Sequence, residues 1–180
     1  MKSKLSVSLL LISITIFLIP DLNAHPFKKL KVSKSVYDIT DYGAKPDGKT
    51  LNTEAIQKAV DLCSTNGGGM VIVPTGIFLT GSVFLKSNTT LHLDKNAVVM
   101  ASTSIKDYSE NQSLQALVTV YQAENVSIEG EGVLDGQGNH FIIKDNAPDR
   151  PYVLLVQDSR NIHIENVTLR NSAKWTLRLR

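Results

Sequence analysis

Three asparagines, Asn88, Asn125 and Asn161, lie 37 and 36 residues apart, each at the same point of a repeated pattern. The segments around them read SVFLKSNTTLHLDKNAVVMAS, LVTVYQAENVSIEGEGVLDG and YVLLVQDSRNIHIENVTLRN. Each has a β-branched run, a polar turn ending in Asn, an alternating strand, a second polar break and another apolar strand. A near-constant period of this length predicts stacked units, none of which buries its apolar face alone. Short strands of Val, Ile and Leu then send alternate side chains inward, while each coil pairs its backbone with the coils above and below. Asparagine tolerates left-handed backbone angles and hydrogen-bonds locally, which suits it to a tight corner between strands. The expected fold is an all-β parallel solenoid.

One helix is expected ahead of the repeats. Asn52 or Thr53 is placed to cap it by accepting hydrogen bonds from free backbone N–H groups. Ala55, Ile56, Ala59, Val60 and Cys63 then fall on one face at helical spacing, and Gly67 to Gly69 end it. Before it, Val36, Ile39 and Tyr42 predict a short strand leading into the turn residues Gly43, Pro46, Asp47 and Gly48. Everything after the helix reads as strands. At the far end Trp175, Leu177 and Leu179 alternate with Thr176, Arg178 and Arg180, a strand pattern that runs to the last residue. Further coils are expected beyond it.

Lys2 and Lys4 precede an apolar run from Leu5 to Ile19, and Leu22-Asn23-Ala24 offers a small residue at a cleavage point. Residues 1–24 are read as a secretory signal peptide and 25–35 as a linker. A transmembrane anchor is the competing reading, but 15 apolar residues fall short of the ~20 that cross a bilayer. The expected location is secreted or periplasmic. Without residues 1–24 the chain carries 17 basic and 16 acidic residues, so bulk charge names no partner. No nucleic acid is expected, and no membrane after signal cleavage; the oligomeric state is open. Cys63 is the only cysteine, which excludes an internal disulfide. It is read as a small buried residue. Asn88, Asn111, Asn125 and Asn166 stand in N-x-S/T sequons, equally readable as chance among turn asparagines and strand threonines.

The stretch YDITDYGAKPDGKTLNTEAIQKAVDLCSTNGGGMVIVPTGIFLTGSVFLKSNTTLHLDKNAVV resembles the N-terminal part of pectin-degrading β-helix enzymes. NVSIEGEGVLDGQG and NIHIENVTLRNSAKWTLRL resemble glycoside hydrolase family 28, the polygalacturonase family. The resemblance covers roughly residues 36–180. It implies a right-handed parallel β-helix whose end is closed by the helix near Thr53 to Ser64. Physical reasoning agrees, since an open solenoid end exposes unpaired backbone and core. It also implies hydrolysis of a pectic polysaccharide with inversion and without a cofactor. The family's working motifs, NTD, DD, GHG and RIK, do not occur in this sequence. The chain is therefore read as the N-terminal part of such an enzyme, inactive on its own. A calcium-dependent pectate lyase and a non-catalytic carbohydrate-binding or phage-spike β-helix are the alternatives.

No residue replaces the missing motifs. Inverting hydrolysis needs an acid and a base carboxyl ~6.5–9.5 Å apart. Glu129 and Glu131 are the nearest thing to a pair, but Gly130 and Gly132 interleave them, and a solvated turn is the simpler reading. Asp135, in DGQG, reads as an Asp-Gly turn. His92 and His163 occupy equivalent places in two repeats, as a stacked ladder or as solvent-facing residues of one sheet. His92 and His163 lack a third ligand at metal-binding spacing; His25 could bind metal at a free amino terminus but is read as part of a solvated tail, and His140, in a loop where it is freer to touch ligand, is read as a surface histidine. The sequence therefore assigns no catalytic and no metal-binding residue. Substrate contact is expected from the loops Ser102 to Gln115 and Asn139 to Arg150, because solenoid insertions gather on the binding face. Lys144 and Arg150 are the expected substrate-binding residues. Arg160, Arg170, Lys174 and Arg178 are further cations suited to a polyanionic sugar.

Overall fold

The computed structural model of the chain describes residues 35–142 and 150–180. The expected signal peptide, His25, nearly all of the linker and Lys144 lie outside the described residues.

Strands β1 (Ser35–Asp38), β3 (Gly69–Val73), β6 (Thr89–Leu93), β9 (Glu124–Gly130) and β12 (Arg160–Glu165) form a first parallel sheet. β2 (Asp47–Leu51), β4 (Gly76–Thr80), β7 (Ala97–Ala101), β10 (Val133–Asp135) and β13 (Thr168–Arg170) form a second. β5 (Val83–Leu85), β8 (Ala116–Tyr121), β11 (Tyr152–Gln157) and β14 (Leu177–Leu179) form a third. The chain visits first, second and third sheet in turn and then starts the next coil. This is a right-handed parallel β-helix.

The pattern of the strands explains the stacking. Inward positions repeat on every coil and lie in register, giving columns such as Val71, Leu91, Ile128 and Ile164 on the first sheet. Phe78, Val99, Leu134 and Leu169 line up on the second, and Leu85, Val120, Val156 and Leu179 on the third. Phe78, Leu85, Ile128 and Leu134 are almost wholly buried, each stabilising the fold by about 1.5–3 kcal/mol relative to exposure.

The corner between third and first sheets carries the asparagines that set the period. Asn88, Asn125 and Asn161 hold left-handed φ of 64°, 57° and 54°. Their side chains form a ladder: the Asn125 amide donates to Asn88 Oδ1 at 2.9 Å, and that of Asn161 to Asn125 Oδ1 at 2.7 Å. Ser87 and Ser159 brace the same corner by accepting from the backbone N–H groups of Glu124 and Ala123 on adjacent coils.

Helix α1 (Thr53–Thr65) covers the N-terminal end of the core, burying Ile56, Ala59, Val60 and Cys63. Neither Asn52 nor Thr53 caps it with a side chain. Asn52 is the N-cap residue by position, but its side chain turns inward, accepting from Lys45 N and donating to the carbonyls of Lys45, Thr50 and Leu79. Thr53 Oγ1 accepts instead from Gly81 N. Both side chains fasten the helix to the first coils, where buried polar backbone would otherwise lack partners. Two other expectations shift. Ile39 and Tyr42 belong to a 3-10 turn after β1 rather than to the strand, and β14 begins at Leu177, with Trp175 and Thr176 pairing to β11 only through their carbonyls. Among the described residues no helix is long and apolar enough to cross a membrane.

Candidate functional site

Connections from second to third sheet differ sharply in length. The link from β4 to β5 needs only Gly81 and Ser82, whereas the links on the next two coils spend residues 102–115 and 136–151. These two loops pack on one another, with Tyr108 meeting Phe141 edge to face at 6.2 Å. The Tyr108 hydroxyl donates to the Ser102 carbonyl at 2.7 Å, and the Ser102 hydroxyl donates to the Asp107 carboxylate. Burial, with the Asp107 charge nearby, raises the pKa of Tyr108. It packs against Phe141 and donates a hydrogen bond that holds the first long loop. A short helix, α2 (Asn139–Ile142), opens the second loop and brings His140 beside the outer face of the second sheet.

On that face a cavity of about 210 Å³ is lined by Met100, Asp135, Gln137, Asn139, His140 and Asn171. Asp135 is its anchor. Its Oδ2 accepts from Arg170 Nε at 2.8 Å, both its oxygens accept from Asn171 Nδ2 at 3.0 and 3.1 Å, and Oδ1 also accepts from Gln137 N at 3.1 Å. Burial pushes the pKa of Asp135 upward, but the Gln137 N–H, Asn171 and Arg170 outweigh it and hold the carboxyl below its ordinary value. A carboxylate so fully occupied is unsuited to donate or accept a catalytic proton. In place of a plain Asp-Gly turn, Asp135 ends β10, its side chain accepts from Gln137 N two residues on, and its bonds to Arg170 and Asn171 tie β10 to the next coil.

Stability follows with a definite sign. Because the folded pKa lies below the ordinary 3.8, the contribution of Asp135 is complete above pH ~4 and is lost as pH falls through the folded value. Asp47 acts in the same direction. The backbone and hydroxyl of Thr50 and the N–H of Lys49 lower its pKa to about 2. In acid denaturation monitored by circular dichroism, Asp135→Asn is expected to unfold less steeply below pH ~4 than the wild type, with the remaining slope shared by Asp47. Identical slopes would mean that Asp135 is not held as described.

Of the cations named from the sequence, the five among the described residues do not gather into one patch. Arg150 is exposed at the end of the second long loop, just before β11. Arg170 stands on the second sheet with Asp135. Arg160 lies on the first sheet and pairs with Glu124 at 2.6 Å, both side chains being exposed. Lys174 and Arg178 lie over the Tyr152 ring outside the third sheet, each 5.1 Å from its centroid, and Arg178 also meets Trp175.

The histidines are not a ladder. His92 is opposite Glu129 and His163 opposite Ser127, so they occupy different columns of the first sheet, half-exposed or exposed. His92 sits 3.4 Å from both Asp94 and Glu129 in an open groove of about 680 Å³ that Glu131 and Glu165 also line. Carboxylates dominate this groove, and like charge disfavours a polyanionic chain there. Among the described residues no cluster of His, Cys, Asp and Glu is arranged to hold a metal ion.

Coil geometry, the capping helix and the loop-flanked second sheet define a pectin-lyase-like parallel β-helix. The family model for rhamnogalacturonase A/epimerase, pectate lyase-like, matches residues 36–176, and the chain belongs to that family. It is 39% identical over 120 residues to an exo-poly-α-D-galacturonosidase of Dickeya chrysanthemi, a match spanning 57% of this chain and 20% of that protein. It is 30% identical to an exopolygalacturonase of Zea mays over 76% of this chain and 35% of the relative. The crystal structure of a candidate glycosyl hydrolase from Parabacteroides merdae superposes with a TM-score of 0.75 at 32% identity, covering 81% of this chain and 69% of that one. The chain thus spans between a fifth and about a third of the length of these curated relatives.

Proposed function

We propose that the chain belongs to an exported glycoside hydrolase acting on pectic polysaccharide, and that a galacturonan strand runs over the second sheet beside the two long loops. Identity to the Dickeya galacturonosidase carries this reading. The loop-flanked cavity with its adjacent Arg170 supports it, while the acidic groove on the first sheet disfavours the other open face. In the complete enzyme the linkage is cut by acid–base hydrolysis with inversion. That step needs two separated carboxyls free to exchange protons, and Asp135 is not such a group. These 180 residues alone are expected to bind polygalacturonate without cutting it. Lys144 and Arg150 contribute from the second loop, and residues 1–24 direct export to the periplasm or the medium.

Binding to polygalacturonate and release of reducing ends, measured on the same preparation, test the reading. Retained polymer with no new reducing ends is the expected result. Lys144→Ala combined with Arg150→Ala should weaken binding several-fold at low salt, since exposed cations act through screened attraction. Unchanged affinity would remove these two residues from the site. Release of unsaturated sugar ends, abolished by chelator, would indicate a calcium-dependent lyase instead.

A further inference from the structure

Asn66 is the only asparagine of the sequence that glycine follows. It closes α1, and its backbone N–H donates to the Leu62 carbonyl at 3.0 Å. Gly67, exposed like Asn66, donates its own N–H to the Ser64 carbonyl at 3.1 Å, and it holds φ of 92° with no atom within 4 Å of where a Cβ would stand. The Asn66 side chain reaches across to β1, where Nδ2 donates to the Tyr37 hydroxyl at 3.0 Å. The next two glycines have no such room. A Cβ on Gly68 would stand 2.4 Å from the Asn88 carbonyl oxygen, and one on Gly69 2.3 Å from that of Ser35. The end of the capping helix thus joins an open Asn-Gly pair to a main chain wedged against its neighbours.

We propose that Asn66–Gly67 is a site of spontaneous deamidation that loosens the capping helix, with Tyr37 and the Ser64 carbonyl as its restraints. The inference is independent of any polysaccharide the chain binds. In the reaction the Gly67 nitrogen gives its proton to a base in the solvent and bonds to Asn66 Cγ, and the side-chain nitrogen leaves as ammonia. Water then opens the resulting imide at either carbonyl. Cleavage on the side-chain side gives aspartate, and cleavage on the main-chain side gives isoaspartate. Gly67 has no side chain to obstruct the approach. The fold slows it through two hydrogen bonds, since Ser64 holds the attacking N–H and Tyr37 holds the amide that it must reach. Reaction therefore waits on fraying of the helix end, an opening of low cost. Isoaspartate lengthens the main chain just ahead of Gly68 and Gly69, whose neighbours leave no space to absorb it. Aspartate places a negative charge at the helix C-terminus, where the macrodipole disfavours it. Both products weaken the seat of α1 on the core.

The test incubates the full chain in mildly alkaline buffer and follows it by peptide mapping with mass spectrometry and by isoaspartyl methyltransferase labelling. Conversion of amide to acid is expected first in the peptide that holds Asn66, mostly as isoaspartate. Tyr37→Phe keeps the ring and loses the acceptor, and it should speed conversion about fivefold, the scale of one hydrogen bond. Cys63 is fully buried beneath α1, so its rate of reaction with a thiol reagent reads the seating of the helix. That rate should rise in the converted fraction and stay low in Asn66→Ser, which cannot form the imide, after the same incubation. If Tyr37→Phe unseats the helix by itself, seen as a reactive Cys63 in fresh protein, the comparison of wild type with Asn66→Ser decides. Conversion at Asn66 no faster than at asparagines followed by larger residues overturns the inference. A converted fraction whose Cys63 stays as protected as in fresh protein does the same, and an unchanged rate in a well-seated Tyr37→Phe overturns the restraint assigned to Tyr37.

Discussion

Alanine at Gly130 is expected to destabilise the solenoid by about 3–6 kcal/mol, combining an unfavourable backbone angle with overpacking against the neighbouring coil. Gly130 has φ of 114°, and a Cβ there would stand 2.1 Å from the Leu93 carbonyl oxygen and 2.9 Å from its carbonyl carbon and its nitrogen. Leu93 cannot retreat. Its carbonyl accepts from Glu131 N at 3.0 Å, and its side chain is fully buried in the core. Relief therefore requires opening the contact between β6 and β9. Gly43 supplies the control, because its φ of 97° is similarly unusual for an L-residue but its Cβ would meet nothing within 4 Å. Gly43→Ala should cost only the backbone contribution, about 1–2 kcal/mol. Urea midpoints of the two variants separate angle from collision. Equal losses would show that the coils yield locally and that their spacing is not fixed by this contact.

Much of the fold was readable because a solenoid repeats its own constraints. The spacing of Asn88, Asn125 and Asn161 marked a corner, and all three have the left-handed angles such a corner demands. Apolar alternation in each segment then fixed which residues face inward, and the columns from Val71 to Ile164 and from Phe78 to Leu169 follow that alternation. Propensity was less informative where tertiary contacts competed with it. Asn52 has the residue type of a helix cap, yet its side chain is drawn to the backbone of Lys45, Thr50 and Leu79, and the Leu79 carbonyl, 27 residues on in the next coil, is invisible to a local reading.

The candidate site was harder to read, for the same reason. Asp135 taken alone is an Asp-Gly turn, and Arg170 taken alone is a surface cation. Only the coil period joins them, since Arg170 and Asn171 follow Asp135 by 35 and 36 residues, nearly the spacing of the corner asparagines. Applying that period to charged and amide residues as well as to the asparagine corner would have brought the cluster together. Applied to His92 and His163 by eye it misleads, because a separation of 71 residues is two coils less a shift that places them in different columns. Counting cations failed for a geometric reason too. Alternate residues of three differently oriented sheets point in different directions, so Arg160, Arg170 and Arg178 diverge although they are close in sequence.

The asparagine ladder provides the second large expectation, since its middle member holds two bonds and its lower end one. Asn125→Ala removes the bond donated to Asn88 and the bond accepted from Asn161, and it leaves a Cβ residue at φ of 57° without the local hydrogen bonding that eases such an angle. Two hydrogen bonds of about 1 kcal/mol and a left-handed penalty of about 1 kcal/mol predict a loss near 3 kcal/mol. Asn125→Gly loses the bonds but relieves the angle and should cost about 1–2 kcal/mol. Asn88→Ala loses one ladder bond and keeps the Asn125–Asn161 link, so about 2 kcal/mol is expected. Urea unfolding of the three variants, with Asn161→Ala to complete the series, should place Asn125→Ala as the least stable. If Asn125→Ala is no worse than Asn88→Ala, the amides act independently at an exposed edge and packing of the inward columns alone sets the stacking.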